Sequence, residues 1–393
     1  MLKYLIGIFL LIIVVGGVYY FFDLSSFNNK IEKPDELIKM AFVGPLSGDY
    51  SFYSLPIKNS VELAIKDLRT QGELIDIVYE DTKCDVESAK AVTSKLINTD
   101  KIKIIIGGVC NGETLAMSEM VEKNQVVLFS PAATSPDITN AGTFTFRNTL
   151  SDSYGGYVLA NMLGQKYKSV AIVSENTDHA EALRQSFLEK VTDLDVEVLV
   201  DELFLPDTKD FRPIFAKIKN TKTEAIIINP QTEQSGGLLV KGIRDAKIKL
   251  PIFAHIIPGG LKFLEVATKS SDGIVFTDLP NLNHESVRVK AFLEDYKKTF
   301  GNISGPEFYM AAAYDAVNIL IQATDNVGYN SVKVRDYLYN LPEYDGLLGK
   351  YSFDLNGDVV GLDLVLKQIK NGRVEDYSTS TPRNSTTTTD KSI

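Results

Sequence analysis

Positive charge is in short supply in this chain. Of 393 residues, 41 are Lys or Arg against 51 Asp or Glu, which leaves a net charge of −10. No basic stripe interrupts that balance, which argues against nucleic-acid binding. Histidine is scarcer still: His179, His255 and His284 lie far apart and share no metal-ligand spacing. The chain has no G-x-S-x-G elbow, no G-x-x-x-x-G-K-[ST] loop and no G-x-G-x-x-G. Gly107-Gly108 and Gly112 make no phosphate cradle, because no Lys-Ser/Thr follows. Asp81 and Asp85 flank Cys84 but read as a solvated turn rather than an acid pair. An enzyme, a metal centre and a bound cofactor are therefore not expected.

Cysteine is almost absent too, with only Cys84 and Cys110. In an exported domain such a pair reads as a disulfide; in a cytosolic one it reads as two buried thiols. Cys84 follows the strand expected at Leu74 to Glu80, and Cys110 follows the next strand. Neighbouring parallel strands would bring both to one sheet edge. A bond there would contribute about 3 kcal/mol and tie down the turn carrying Asn111.

What the chain does have begins at its N-terminus. Behind Lys3, the run Tyr4 to Phe22 is nineteen residues without a charge. That length spans a bilayer core, and the aromatic cluster Tyr19 to Phe22 suits an interface. With Lys3 on the cytoplasmic side, everything after Asp23 is expected outside. No Ala-x-Ala-type site and no lipid-accepting cysteine follows, so residues 1–24 are expected to be an uncleaved anchor, with a cleaved signal segment as the rival reading. Residues 25–37, with Pro34, read as a tether, and residues 378–393 as a low-complexity tail.

Between tether and tail the chain is organised around Ile102 to Asp137. This stretch reads as a strand (Ile102 to Val109), a helix (Asn111 to Asn124), a second strand (Val126 to Ser130) and the small-residue turn Pro131-Ala132-Ala133-Thr134. Both strands are continuous apolar blocks, the mark of parallel strands buried on two faces. Ligands of such sheets sit beyond the carboxyl ends of the strands, where unpaired N–H groups at a helix start favour a carboxylate. Strands at Ile38 to Val43 and Leu74 to Glu80 precede this stretch, and a second strand–helix series runs from Ser153 to Thr277. Helices follow at Glu285 to Phe300, Glu307 to Asn326 and Ser331 to Asn340. The spacing of Tyr309, Ala312, Ala313 and Ala316 predicts core packing in the second of these. A hairpin is expected to close the domain, pairing Gly349 to Asp354 with Asp363 to Ile369 around Asn356-Gly357. The fold class is α/β: two doubly wound lobes with a cleft between them.

Four segments carry a family likeness: IKMAFVGPLSG at the start, YEDTKCD, IGGVCNGET, and VVLFSPAATSPDIT. In their order and spacing the chain resembles the type I periplasmic binding proteins of ABC transporters, in the leucine/isoleucine/valine-binding branch, from about Ile38 to Tyr377. The resemblance implies two Rossmann-like lobes joined by a hinge of three crossovers. The first lobe would be residues 38–151 plus 280–349, and the second 152–279 plus 350–377. It supports a Cys84–Cys110 disulfide, since relatives pair cysteines after these two strands. It implies that a ligand carboxylate is held at Asn111 and at Ala132, Ala133 and Thr134, under the aromatic ring of Tyr53. From the second lobe it implies Asp178, His179, Gln231, Thr232 and the turn at His255. Amino-acid binders carry a glutamate in that last turn, which pairs with the ligand ammonium. Here the place reads His255-Ile256-Ile257-Pro258. Asp178 and Glu233 are candidates to substitute, against the plainer reading of both as solvated charges.

The function expected is that of an extracytoplasmic solute-binding protein. It would close on a small polar ligand (an amino acid, an amide or a related carboxylate) and present it to an ABC permease. A sensory ectodomain reporting to a partner receptor is the alternative.

Overall fold

The computed structural model describes residues 37–377, the side chains of Asp178 and His179 excepted. The expected membrane run, most of the tether and the tail lie outside the described residues. Among those described, no helix is long and apolar enough to cross a membrane.

The first sheet is parallel, with β1 (Ile38–Gly44), β2 (Ile75–Asp81), β3 (Ile104–Ile106), β4 (Val127–Ser130) and β5 (Thr145–Arg147) in the order β2-β1-β3-β4-β5. Its apolar runs are buried on both faces, as continuous hydrophobic strands require. Met40, Phe42, Ile104, Ile106 and Phe129 point into one core. Ala41, Val43, Ile105 and Leu128 point into another, against helices α2 (Val86–Asn98) and α3 (Asn111–Asn124). Helix α1 (Ser51–Thr70) covers the first face with Ile57, Val61 and Leu68. Gly107 has φ +137°, and a Cβ there would stand 2.1 Å from the Val43 carbonyl oxygen, so the end of β3 approaches β1 only without a side chain.

The second sheet joins β6 (Ser169–Glu175), β7 (Glu197–Phe204), β8 (Ala225–Asn229), β9 (Ile252–His255) and β10 (Val275–Asp278) in parallel. β14 (Val365–Lys370) and β15 (Arg373–Asp376) extend it in antiparallel fashion, giving β15-β14-β10-β9-β8-β6-β7. Helices α4 (Asp152–Gly164), α5 (Asp178–Val191), α6 (Arg212–Lys219), α7 (Glu233–Asp245) and α8 (Leu261–Ala267) connect and cover its strands. Strand order reverses between β1 and β3 in one sheet and between β6 and β8 in the other. Those are the crevices where open α/β sheets take ligands.

Helices α9 (Val287–Phe300), α10 (Glu307–Val327) and α11 (Ser331–Asn340) return to the first lobe, where Ala316, Leu320 and Leu338 enter its core. The chain then departs from expectation. β12 (Gly349–Phe353) pairs with β11 (Tyr344–Gly346) and β13 (Val359–Val360), while β14 pairs with β10 and β15. Asn356-Gly357 does turn the chain between β12 and β13, but the predicted partner strand belongs to the other sheet. The reason lies in burial: Tyr351, Phe353, Val359 and Leu362 fill the first lobe's core. Leu362 and Leu364, beyond the boundary expected at Gly349, still pack on the first lobe's core. Helix α8 was not expected from the sequence, because its seven residues carry too short an apolar pattern to register.

Candidate functional site

At the carboxyl edge of the first sheet, three turns are bound to one another. Cys84 and Cys110 form a disulfide, with Cα atoms 5.7 Å apart, joining the turn after β2 to the start of α3. The buried carboxylate of Glu113 accepts from the backbone N–H of Val109 (2.6 Å) and Cys110 (2.9 Å), and Thr82 donates its hydroxyl to the other oxygen. Burial raises this carboxyl's pKa and the three hydrogen bonds oppose it. Ser130 Oγ accepts from Ala133 N (3.0 Å) and donates to the Gly108 carbonyl (2.7 Å).

Asn111 stands at the first position of α3. One side-chain atom receives the N–H of Thr134 (2.7 Å) and that of Ser135 (3.0 Å), which identifies it as the amide oxygen. The Thr134 hydroxyl donates to Asp152 Oδ2 (3.0 Å), and Asp152 N returns a bond to the Thr134 carbonyl (2.9 Å). Asn111, Ala132, Ala133 and Thr134 are thus gathered in one place. Asn111 enters that place as an acceptor rather than as the donor of its amide. Beneath it the fully buried Arg147 donates to the Ser135 carbonyl (2.7 Å), to Thr139 Oγ1 (2.9 Å) and to both oxygens of Asp358 (2.5 and 3.0 Å).

The edge of the second sheet is assembled differently. Asp178 and His179 open α5, but their side chains lie outside the described residues. Gln231 N donates to Glu175 Oε2 (2.8 Å), and Thr232 caps α7 by accepting from Ser235 N (3.1 Å). Ser235 Oγ donates to the same Glu175 oxygen (2.5 Å). His255 is buried at the end of β9, its Nδ1 bonded to Thr277 Oγ1 (2.7 Å), with Gly155 of α4 against its ring. A Cβ on Gly155 would come within 2.8 Å of that ring. The next residue, Ile256, holds φ +48°, a strained value for a β-branched side chain. Glu233 is not a solvated charge: it accepts from Lys262 N (2.7 Å) and Phe263 N (3.1 Å) and so caps α8.

A cleft of about 640 Å³ lies against α3, α4 and α5, and among the described residues Asn111 alone of the expected ligand set lines it. Asn111, Gly112 and Leu115 line it from the first lobe, and Asp152, Tyr157 and Glu181 from α4 and α5. Residues 37–373 match the family described as periplasmic binding protein. The chain belongs to that family. Among relatives of this periplasmic binding protein, the leucine-, isoleucine-, valine-, threonine- and alanine-binding protein of Pseudomonas aeruginosa is 25% identical, over 84% of this chain and 89% of its own. The Leu/Ile/Val-binding protein of Escherichia coli K12 is 26% identical over 86% and 92%. A solved structure, the substrate-binding protein of a branched-chain amino acid transporter from Streptococcus pneumoniae in complex with isoleucine, is 27% identical. It superposes with a TM-score of 0.70, covering 86% of this chain and 98% of that one.

In this periplasmic binding protein Tyr53 meets a partner that sequence reasoning had assigned to the core alone. Its ring contacts that of Tyr309 edge-on, with centroids 5.5 Å apart. Tyr309 does belong to the first lobe's core. Burial pushes its pKa up to about 12, and the charges of Asp152 and Asp278 add to that rise while Tyr53 and Thr149 oppose it. Burial likewise raises Tyr53. Thr149 is fully buried, and its hydroxyl has no partner in hydrogen-bond geometry. Sequence reasoning missed Arg147, Thr149, Asp152, Glu175 and Asp278. The available signal was position: each lies at a strand end, a crossover or a helix start.

Proposed function

We propose that this protein captures an amino acid between its lobes, outside the cytoplasm, and presents it to the permease of an ABC transporter. The supporting observation is the split cleft. The Asn111 helix start and the Ser135 to Asp137 turn of one lobe face α4 and α5 of the other across it, so a solute bound there touches both and favours the closed arrangement by its added contacts. The ligands named for the relatives support the solute class. The Cys84–Cys110 bond supports an oxidising compartment. The uncharged run Tyr4 to Phe22 supports attachment to the membrane.

The test is a thermal-shift screen of the full chain in mild detergent, against amino acids, short amides, urea, small carboxylates and sugars. A solute that binds only the folded state raises the melting temperature. Stabilisation by one or more α-amino acids is the expected result. Stabilisation by sugars alone, or by nothing in the panel, would overturn the reading.

A further inference from the structure

The pattern Asn-x-Ser/Thr, with x other than Pro, occurs twice in the chain: at Asn302-Ile303-Ser304 and at Asn384-Ser385-Thr386. That spacing is the acceptor pattern for an N-linked sugar, and it is usable only where the backbone is exposed. The second copy lies outside the described residues. The first falls between α9, which ends at Phe300, and α10, which begins at Glu307. Gly301 closes α9 with φ +89°, its N–H on the Lys297 carbonyl (3.0 Å).

The connection that follows is shaped to accept a sugar. Asn302 and Ser304 are exposed, while Ile303 between them packs on the core of Leu63, Phe292 and Tyr296. This alternation is that of an extended segment, so the amide and the hydroxyl stand on the same side. Neither group is engaged. Among the described residues, no hydrogen bond holds the Asn302 amide or the Ser304 hydroxyl, and the N–H groups of 302–305 have no backbone acceptor. Exposed asparagines nearby in the sequence are tied down instead: Asn330 accepts from Lys333 N (3.1 Å), and Asn340 donates to the Asp336 carbonyl (2.7 Å). The space beside the segment is open, since a Cβ on Gly301 would meet nothing within 4 Å. A segment that is already extended and unbonded enters a transferase without loss of native hydrogen bonds.

We propose that Asn302 is a glycosylation site, modified outside the cytoplasm by transfer from a sugar linked through phosphate to a membrane lipid. Its Nδ2 forms a bond to the sugar's anomeric carbon as the bond from that carbon to the phosphate oxygen breaks. The Nδ2 proton goes to a base of the transferase, and the lipid phosphate leaves with the bonding electrons. Nothing is oxidised or reduced. Ser304 has a positioning role, offering its hydroxyl to the transferase that holds the segment. The inference rests on the extracytoplasmic reading above and is independent of which solute the cleft holds.

The test is mass spectrometry of the full chain isolated from the cells that make it. Free thiols are alkylated with one label, and thiols released by reduction with a second, before digestion with trypsin. The tryptic peptide 299–333 should carry a sugar mass on Asn302. That mass should vanish in Asn302→Gln and in Ser304→Ala and persist in Ser304→Thr, which keeps the hydroxyl. A bare Asn302 in protein whose Cys84 and Cys110 carry the second label overturns the inference and leaves the extracytoplasmic reading standing. A bare Asn302 with both cysteines carrying the first label overturns the two together. A sugar that survives Ser304→Ala overturns the assignment to this pattern.

Discussion

The two sheet edges are fastened by different means. On the first lobe the turn after β4 has its N–H groups taken up by Ser130 and Asn111. Glu113 and a disulfide fasten the neighbouring turns. On the second lobe, Asp278 keeps an oxygen without a donor and Ile256 holds a strained backbone. Turns fastened by a disulfide and internal hydrogen bonds keep their shape and act as a template, although Ser54 and Thr149 of the same lobe keep buried hydroxyls outside hydrogen-bond geometry.

The largest break in that comparison is expected from Arg147→Met. The guanidinium is fully buried and its ion pair with Asp358 is mostly so, at 0% and 18% side-chain exposure. Removing it strands a carboxylate and releases the Ser135 carbonyl below the binding turn. The expected cost is about 3–5 kcal/mol, measured by urea unfolding of the variant beside wild type. Asp358→Asn added to Arg147→Met should recover part of it, because no stranded charge is left, whereas Asp358→Asn alone leaves the buried guanidinium unpaired. A loss under about 1 kcal/mol would mean that the turn does not lean on Arg147.

Next in size is the disulfide. Cys84→Ser with Cys110→Ser opens a loop with a sequence separation of 26 residues and should cost about 3 kcal/mol. The same loss should follow reduction of wild type and be absent when the double variant is treated with reductant. If the variant is destabilised yet binds its solute with unchanged affinity, the template is held by Glu113 and Asn111 rather than by the covalent bond.

Much of this architecture could be read in the sequence, for physical reasons. Runs such as Ile104-Ile105-Ile106 and Ala225 to Asn229 have no polar face, so only a strand covered on both sides suits them. The cysteine pair was legible as a disulfide, but the strands expected to be neighbours are not, since β1 lies between β2 and β3. What escaped the reading depends on partners distant in the chain. Asn356-Gly357 announces a turn, but which strand it pairs is decided by Tyr351 and Phe353 finding room in the first core. Asn111 at a helix start reads as a donor for a ligand. Only the fold brings two N–H groups, 23 and 24 residues away, onto its oxygen. Glu233 looks solvated until α8 forms beside it.

The smallest effect separates the structural and binding parts of the first edge at one residue. Asn111→Leu removes the acceptor of two backbone donors in a partly buried turn, so it should lower stability by about 1–3 kcal/mol. Asn111→Asp keeps both hydrogen bonds through a carboxylate oxygen, which the start of α3 favours, and should unfold within about 0.5 kcal/mol of wild type. It also places a negative charge where the solute's carboxylate is expected, and should therefore weaken binding of an amino acid by about tenfold or more. Paired melting curves and titrations of the two variants decide the matter. Asn111→Leu that is as stable as wild type would mean that the turn needs no internal acceptor. Asn111→Asp that binds unchanged would move the carboxylate away from this helix start and leave Asn111 a purely structural residue, completing the first lobe's edge without touching what it holds.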